Sequence, residues 1–388
     1  MNYILFDGSV RNNLLPFTFT RPVADIRVGI MTIREKWEFL LGFTTTTLTE
    51  DYLAEKHPFF ELEKNIFINA SFIPSKNLSN IVKGLQENQA VFYEDEPIAF
   101  FASEGQEVDF DTFDVIQYNV SDVLQIKNTW DIFALNAEAI KRDFELLTKD
   151  RVSQPIPEGV WTKNPENIFI EEGAVIEFCT LNASEGPIYI GKDAEIMEGS
   201  LVRGPFALCE HATLKMGAKI YTGTTIGPHS KVGGEVSNSV IFGYSNKGHD
   251  GFLGNSVLGE WCNLGADTNT SNLKNNYAEV RLWNYETENF ARTGLQFCGL
   301  MMGDHSKCSI NTMFNTGTVV GVSANIFGSG FPKNFVPSFT WGGTTTYKTQ
   351  TAFEVAKIVM ARRGIEFTDA DAKILQQVFE DTAKWRKE

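Results

Sequence analysis

The chain has 388 residues and 43% of them are hydrophobic, enough for two or three packed units of ordinary globular composition. Lys and Arg total 34 against 49 for Asp and Glu, a net charge of -15 with no long run of one sign, which excludes a general nucleic-acid or anionic-membrane binder. No apolar stretch approaches the roughly 20 residues that span a bilayer, and the five cysteines form no C-x-x-C pair, which points to buried thiols in a cytoplasmic protein rather than disulfides or a zinc cluster.

The opening MNYILFDGSVRNN has no basic segment leading into a sustained apolar run, so it does not read as a signal peptide. Residues 1–150 alternate strand-like and helix-like patterns. Residues 3–6 read as a strand ended by Asp7-Gly8, and 30–41 as a helix with Gly42 just past its end. Further strands are expected at 43–48 and 66–68, a helix at 78–85, a hairpin from 90–93 and 98–101, and a long helix at 130–147. This alternation predicts an α/β unit with a mostly parallel sheet.

A linker with Pro155 and Pro157 follows. From there the pattern changes. Residues 168–172 and 174–177 already look like short coil sides, and Ile190, Ile196, Val202, Leu208, Leu214, Ile220, Ile226 and Val232 then stand at six-residue intervals without a miss. A helix would scatter such positions, and a plain strand gives no reason for every sixth residue alone to be aliphatic. The period is that of a hexapeptide β-helix, a triangular prism in which three hexapeptides close one coil and the recurring aliphatic points inward. At Asn238 the count slips, and Val240 takes over two residues out of phase. The count returns at Leu258 and Leu264, breaks for a polar insertion at about 267–296, and resumes with Met302, Cys308, Phe314, Val320 and Ile326. An insertion of that length suggests a functional loop.

After Trp341-Gly342-Gly343 the chain turns helical, with Thr368 and Asp371 as a capping box and Ile374, Leu375, Val378 and Phe379 on one face. This tail is expected to cap the open end of the prism or to pack on a neighbour. The resulting division is 1–150, 151–345 and 346–388.

The segment 245–272 reads SNKGHDGFLGNSVLGEWCNLGADTNTSN. It resembles the acetyltransferase half of the bifunctional N-acetylglucosamine-1-phosphate uridyltransferase/glucosamine-1-phosphate acetyltransferase family. Lys247, Gly248, His249, Leu253 and Gly254 match one family motif, and Asn263, Gly265, Ala266, Thr270 and Asn272 match the next at the same spacing. The resemblance implies a left-handed β-helix, trimerisation, and His249 as the general base that takes a proton from a sugar amine as it attacks the acetyl-CoA thioester. An ammonium has no lone pair, and an imidazole accepts a proton near neutral pH. By the same likeness Asn263 and Asn272 bind the sugar or orient the base, Ala266 lies along the coenzyme A groove, and Lys219 holds the sugar phosphate. A second family cation is replaced by Ser237, for which Lys215, Lys231 or Lys247 is available to compensate. Phe252 stands where the family has tyrosine, which removes a hydroxyl.

The N-terminal unit resembles sugar-phosphate nucleotidyltransferases more distantly. Gly8 and Arg11 remain of the glycine-rich phosphate loop, and Pro16, Thr18 and Pro22 keep a P-x-T-x-x-x-P frame that includes Arg21. The family lysine after the second proline is Val23, and no carboxylate stands at Asn69, the counterpart of a magnesium-holding aspartate. Arg11, Arg21, Arg27 and Lys36 are the cations available for a triphosphate, with Mg as cofactor if that site works. The readings left open are a two-activity enzyme of amino-sugar nucleotide synthesis, a nucleotidyltransferase whose β-helix only oligomerises, and a non-catalytic sugar-nucleotide binder. A zinc site built from His211, His229, His249 and His305 is disfavoured, because their spacing matches no paired ligand motif.

Overall fold

The computed structural model describes residues 1–120 and 123–386. The N-terminal unit holds a six-stranded sheet in the spatial order Thr46–Leu48, Asn2–Phe6, Lys64–Asn69, Glu96–Ser103, Gln89–Tyr93, Asp114–Gln117. The first two pairings and the last are parallel, while the hairpin at Glu94-Asp95 makes the middle two antiparallel, so the sheet is mixed rather than mostly parallel. Helix α1, Ile33–Leu41, starts later than the apolar pattern suggests because Thr32 and Glu35 close a capping box, and it ends on left-handed Gly42. Helix α2 is Lys76–Lys83, and the expected 130–147 helix is two pieces, α3 Asp131–Ala134 and α4 Asn136–Thr148.

From Trp161 the chain winds as a parallel β-solenoid with three faces. The first face runs through Ile188–Ile190, Phe206–Leu208 and Thr224–Ile226, the second through Glu195–Ile196, Thr213–Leu214 and Lys231–Val232, and the third through Leu201–Arg203, Lys219–Ile220 and Glu235–Ser237. The sixfold aliphatics stack as expected: Ile190 on Leu208 on Ile226, Ile196 on Leu214 on Val232, and Val202 on Ile220. All eight are buried in one core. Each contributes on the order of 1.5–3 kcal/mol by leaving water.

The slip shortens one coil. Ile226 is followed on its face by Ile241 and Val232 by Lys247. Ile241, not Val240, therefore holds the inward place, and Val240 faces the N-terminal unit. Gly227 permits the tight stacking here, since a Cβ on it would stand 1.9 Å from the Phe242 carbonyl oxygen. The resumed repeat pairs in phase, Met302 with Leu258 and Val320, and Cys308 with Leu264 and Ile326.

The insertion is a structured hairpin, Arg281–Asn284 with Asn289–Arg292. It folds back on its own chain. Trp283 stacks on Phe335, Tyr285 meets Phe19 and Trp385, and Asn284 and Glu286 accept or donate hydrogen bonds with Asn13 and Asn12. The tail forms α5, Thr349–Ala361, and α6, Asp369–Asp381. These helices meet the last coil, where Phe379 packs edge-on against Phe339 and Arg386 donates to the Ser338 carbonyl, and also run along the side of the prism. Arg363, just after α5, bonds Asn246 on the second face, and α6 reaches the N-terminal unit through Lys56–Asp371 and Glu55–Lys373. Their apolar stripe is satisfied there, where Leu375 and Val378 join one core with Phe17, Phe242 and Val319.

The three faces thus differ in cover. The N-terminal unit lies on the first, where Asn136 donates to the Gly223 carbonyl and to Thr225, and Thr225 donates to the Gly29 carbonyl. Around the third face Trp161, Phe178, Leu201, Met216 and Tyr221 are exposed.

Candidate functional site

His249 sits at the corner after Asn246–Lys247 on the second face and before Phe252–Gly254 on the third. It is exposed. The hydrogen bond from the Asp267 amide to the Asp250 carbonyl aligns this corner with the next coil, so Ala266 occupies the same corner position one coil on. A small residue there leaves room beside the imidazole. Lys219 and Phe252 lie in one column of the third face, separated by Glu235. Phe252 is fixed by its amide, which donates to Asn269 Oδ1 at 2.9 Å. Asn272 follows on that face's edge and donates to Asn255 Oδ1 at 2.8 Å.

Lys247 holds a different place from the one its charge suggests. The shortened coil drops it into the inward column directly after Val232, and it is 3% exposed. Its ammonium donates to the His249 carbonyl at 2.5 Å, which ties down the corner. Burial pushes its pKa down to about 8 against the pull of Asp250 and Asp267. Lys247 thus braces the His249 backbone from inside. Asn263 pairs with Asn246 and Lys307 on the second face and lines a cleft that α5 covers, apart from the Lys219, Phe252 and Asn272 group.

Three of the four histidines considered for zinc form a ladder with two aromatic residues instead. His211, His229, Tyr244, Trp261 and His305 stack in that order with centroid separations of 4.7, 4.8, 4.3 and 6.2 Å. Each sits at a corner with positive φ. A left-handed backbone costs an L-residue roughly 1–2 kcal/mol, and an aromatic pair returns about 0.5–1.5 kcal/mol, so the ladder offsets its own corners. Among the described residues no group of three His, Cys, Asp or Glu is placed to hold a metal ion.

In the N-terminal unit the candidate phosphate ligands bind the protein itself. Arg11 donates to Asp7 at 3.1 Å, to the Thr18 carbonyl at 2.7 Å and to Tyr52 at 2.9 Å. Arg21 grips Asp304 of the solenoid with two bonds, at 3.1 and 2.6 Å, and Glu260 lies 3.2 Å away. Burial works against this guanidinium, but Asp304 and Glu260 outweigh it and raise its pKa. Lys36 pairs with buried Asp143, and Arg27 donates to the Phe242 and Ile30 carbonyls. Gly8 lies against Asn69, whose Oδ1 a Cβ would approach to 2.9 Å. Sequence reading missed Glu96, which the sheet brings beside Asn69 and whose two oxygens accept one hydrogen bond each, from Asn69 and Gln125. Asp7 is likewise spent on Val23, Thr49 and Arg11. Three of the four cations expected to meet a triphosphate, Arg11, Arg21 and Lys36, are thus paired with carboxylates of the protein itself.

The architecture is that of a two-part protein, an α/β unit followed by a parallel β-solenoid with C-terminal helices. Residues 3–152 match the family model described as sugar nucleotidyl transferase. Over 145 residues the chain is 32% identical to the bifunctional sugar-1-phosphate nucleotidylyltransferase/acetyltransferase of Sulfurisphaera tokodaii, covering 37% of this chain and 36% of that protein. It is 27% identical over 165 residues to the bifunctional protein GlmU of Alkaliphilus metalliredigens, with 37% and 36% covered. An uncharacterized acetyltransferase of Escherichia coli, YaiX, is 24% identical over 178 residues, covering 45% of this chain and 74% of that one. The chain thus spans 36% of the length of each of the first two relatives. A solved UDP-N-acetylglucosamine acyltransferase from Arabidopsis aligns over 60% of this chain and 99% of its own at 15% identity, with a TM-score of 0.23. That score is too low to assign a fold, which rests here on the strand pairing. The resemblance to bifunctional nucleotidyltransferase/acetyltransferase proteins stands, at low identity.

Proposed function

We propose that the protein is a transferase that moves an acetyl group from acetyl-CoA to the amine of glucosamine 1-phosphate or a related amino sugar, with His249 as general base. The observation that carries this reading is the corner at His249. It is open to solvent, braced from within by Lys247, beside a small residue at Ala266, and next to the third face, which bears Lys219, Phe252 and Asn272. The nucleophile must be a free amine. An exposed imidazole takes its proton as nitrogen attacks the thioester carbonyl, and coenzyme A leaves as the thiol. Lys219 is the phosphate contact in this reading and Asn272 a sugar contact, whereas Asn263, expected by resemblance to be another, lines the separate cleft under α5.

The exposed apolar residues around the third face, among them Leu201 and Met216, support assembly into a homotrimer with sites between prisms. Five buried free thiols fit a cytoplasmic location, and no helix among the described residues is long and apolar enough to cross a membrane. No nucleotidyl step is assigned, because Arg11 and Arg21 are committed to ion pairs. That commitment favours, as the second reading, an N-terminal unit that is structural or binds a sugar nucleotide without turning it over. The test is thiol release from acetyl-CoA with glucosamine 1-phosphate, alongside pyrophosphate release from UTP or dTTP with the acetylated sugar phosphate. No thiol release, or equal release by His249→Ala, sinks the acetyltransferase reading.

A further inference from the structure

The second face of the solenoid carries an outward column that strand pairing brings into register, Lys231, Asn246, Asn263 and Lys307. Helix α5 crosses it, and the turn after the helix sets Arg362 and Arg363 against it. Arg363 Nη2 donates to Asn246 Oδ1 at 3.1 Å, which fixes the distance between helix and face. The cleft left between them has a volume of about 470 Å³. That is within the range of about 300–1,000 Å³ typical of small-molecule sites.

Its charge is unlike the rest of the molecule. Four cations line the cleft and no carboxylate does, although the chain holds 49 acidic residues against 34 basic ones. Among the described residues none of the four forms an ion pair. Elsewhere the interior cations Arg21, Arg34 and Lys36 each meet a carboxylate. The Lys307 ammonium donates to the His305 carbonyl at 2.9 Å and keeps its other protons for a ligand. The cations also oppose one another. Burial and then the neighbouring Arg363 push the Lys231 pKa down, and burial and then Arg362 do the same to Arg363. Cations converging without a counter-charge repel, and an entering anion removes that repulsion while accepting charge-assisted hydrogen bonds.

From this geometry we infer that the cleft between the second face and α5 binds a compact phosphate-bearing anion, a pyrophosphate or the diphosphate end of a nucleotide. Lys231, Lys307, Arg362 and Arg363 supply the charge, and the Asn263 amide supplies a neutral donor. A lone phosphate engages fewer of the four cations than two linked phosphates. The site is independent of acetyl transfer, since His249 does not line the cleft.

Titration calorimetry on the full chain at low salt tests this with inorganic phosphate, inorganic pyrophosphate and UDP in separate arms. Saturable binding of pyrophosphate or UDP, tighter than phosphate, is expected. The tighter of the two tells whether phosphates alone or a nucleotide is recognised. Lys231→Met and Arg362→Gln should each weaken binding about tenfold, the loss of one hydrogen bond to a charged group. Lys192→Met, an exposed lysine on another coil, should change nothing. Both site variants alter partly or fully exposed side chains and should keep the wild-type circular dichroism spectrum. Absence of saturable binding by either diphosphate, or unchanged affinity in both folded site variants, overturns the assignment.

Discussion

Replacing Lys247 with methionine should change resistance to denaturant in a pH-dependent way, the variant faring better against the wild type at neutral pH than at alkaline pH. Lys247 stands in a column otherwise built from Leu214, Val232 and Leu264, and burial lowers its pKa from 10.5 to about 8. The sign follows from proton counting. Between about pH 8 and 10.5 the unfolded chain binds this proton and the folded chain does not, so native stability rises with pH across that window. Below pH 8 the full cost of burying the charge is present. Lowering the pKa from 10.5 to about 8 corresponds to about 3 kcal/mol, and Lys247→Met, which keeps a flexible unbranched side chain, is free of it. The stability advantage of the variant over the wild type should therefore shrink by about 3 kcal/mol between pH 7 and pH 11. Lost packing and the lost bond to the His249 carbonyl change the offset between the two proteins but not its slope with pH. Urea unfolding followed by circular dichroism at pH 7, 9 and 11 measures the difference directly. A difference that stays constant across that range would show that the ammonium reaches water and would refute the placement of Lys247 in the inward column.

Three other outcomes are expected. Asp304→Ala leaves buried Arg21 without its bidentate partner and should destabilise the protein by about 3–5 kcal/mol, read as a drop in the thermal midpoint. Leu208→Ala opens a cavity in the solenoid core and should cost about 3 kcal/mol in urea unfolding. A loss near 0.5 kcal/mol, typical of surface positions, would contradict its inward placement. Leu201→Asp puts a charge among the exposed apolar residues around the third face and should break the proposed trimer into monomers, read as a lower mass in light scattering. If both proteins have the same mass, that face is not the interface.

The solenoid was legible because its signal is strictly local. Every sixth residue from Ile190 to Val232 is aliphatic, since each meets the same inward geometry, and the resumed run from Met302 to Ile326 obeys the same constraint. The slip was legible as a break but not in its phase. Val240 and Ile241 are both apolar and both buried, one against each core, and sequence has no way to tell which core claims which. Lys247 misled for a related reason. As a charged residue it reads as outward, and only the three-residue shortening of the coil places it inward. The long insertion read as a loop because Trp283, Tyr285 and Phe290 lie among polar residues, whereas their partners Phe19, Phe335 and Trp385 come from distant parts of the chain. The same distance hid the fate of Arg21. Its partner lies 283 residues away, and no local pattern announces that a residue of the P-x-T-x-x-x-P frame closes a seam between units. At the candidate site, the spacing from His249 to Asn272 could be read from sequence. The α5 cleft could not, because Lys231, Lys307 and Arg362 come together only through coil register and helix docking.

The seam itself constrains how the gene can change. One continuous core runs from Val23 and Phe17 through Phe242, Val257 and Val319 to Leu375 and Val378, so the N-terminal unit, solenoid and tail share a single apolar wall. A recombination event that cut the chain near residue 150 would hand each daughter a raw hydrophobic flank and leave Arg21 and Asp304 as orphaned charges on opposite fragments. Separating or exchanging the two halves therefore costs stability on both sides of the wall unless the facing residues change with it.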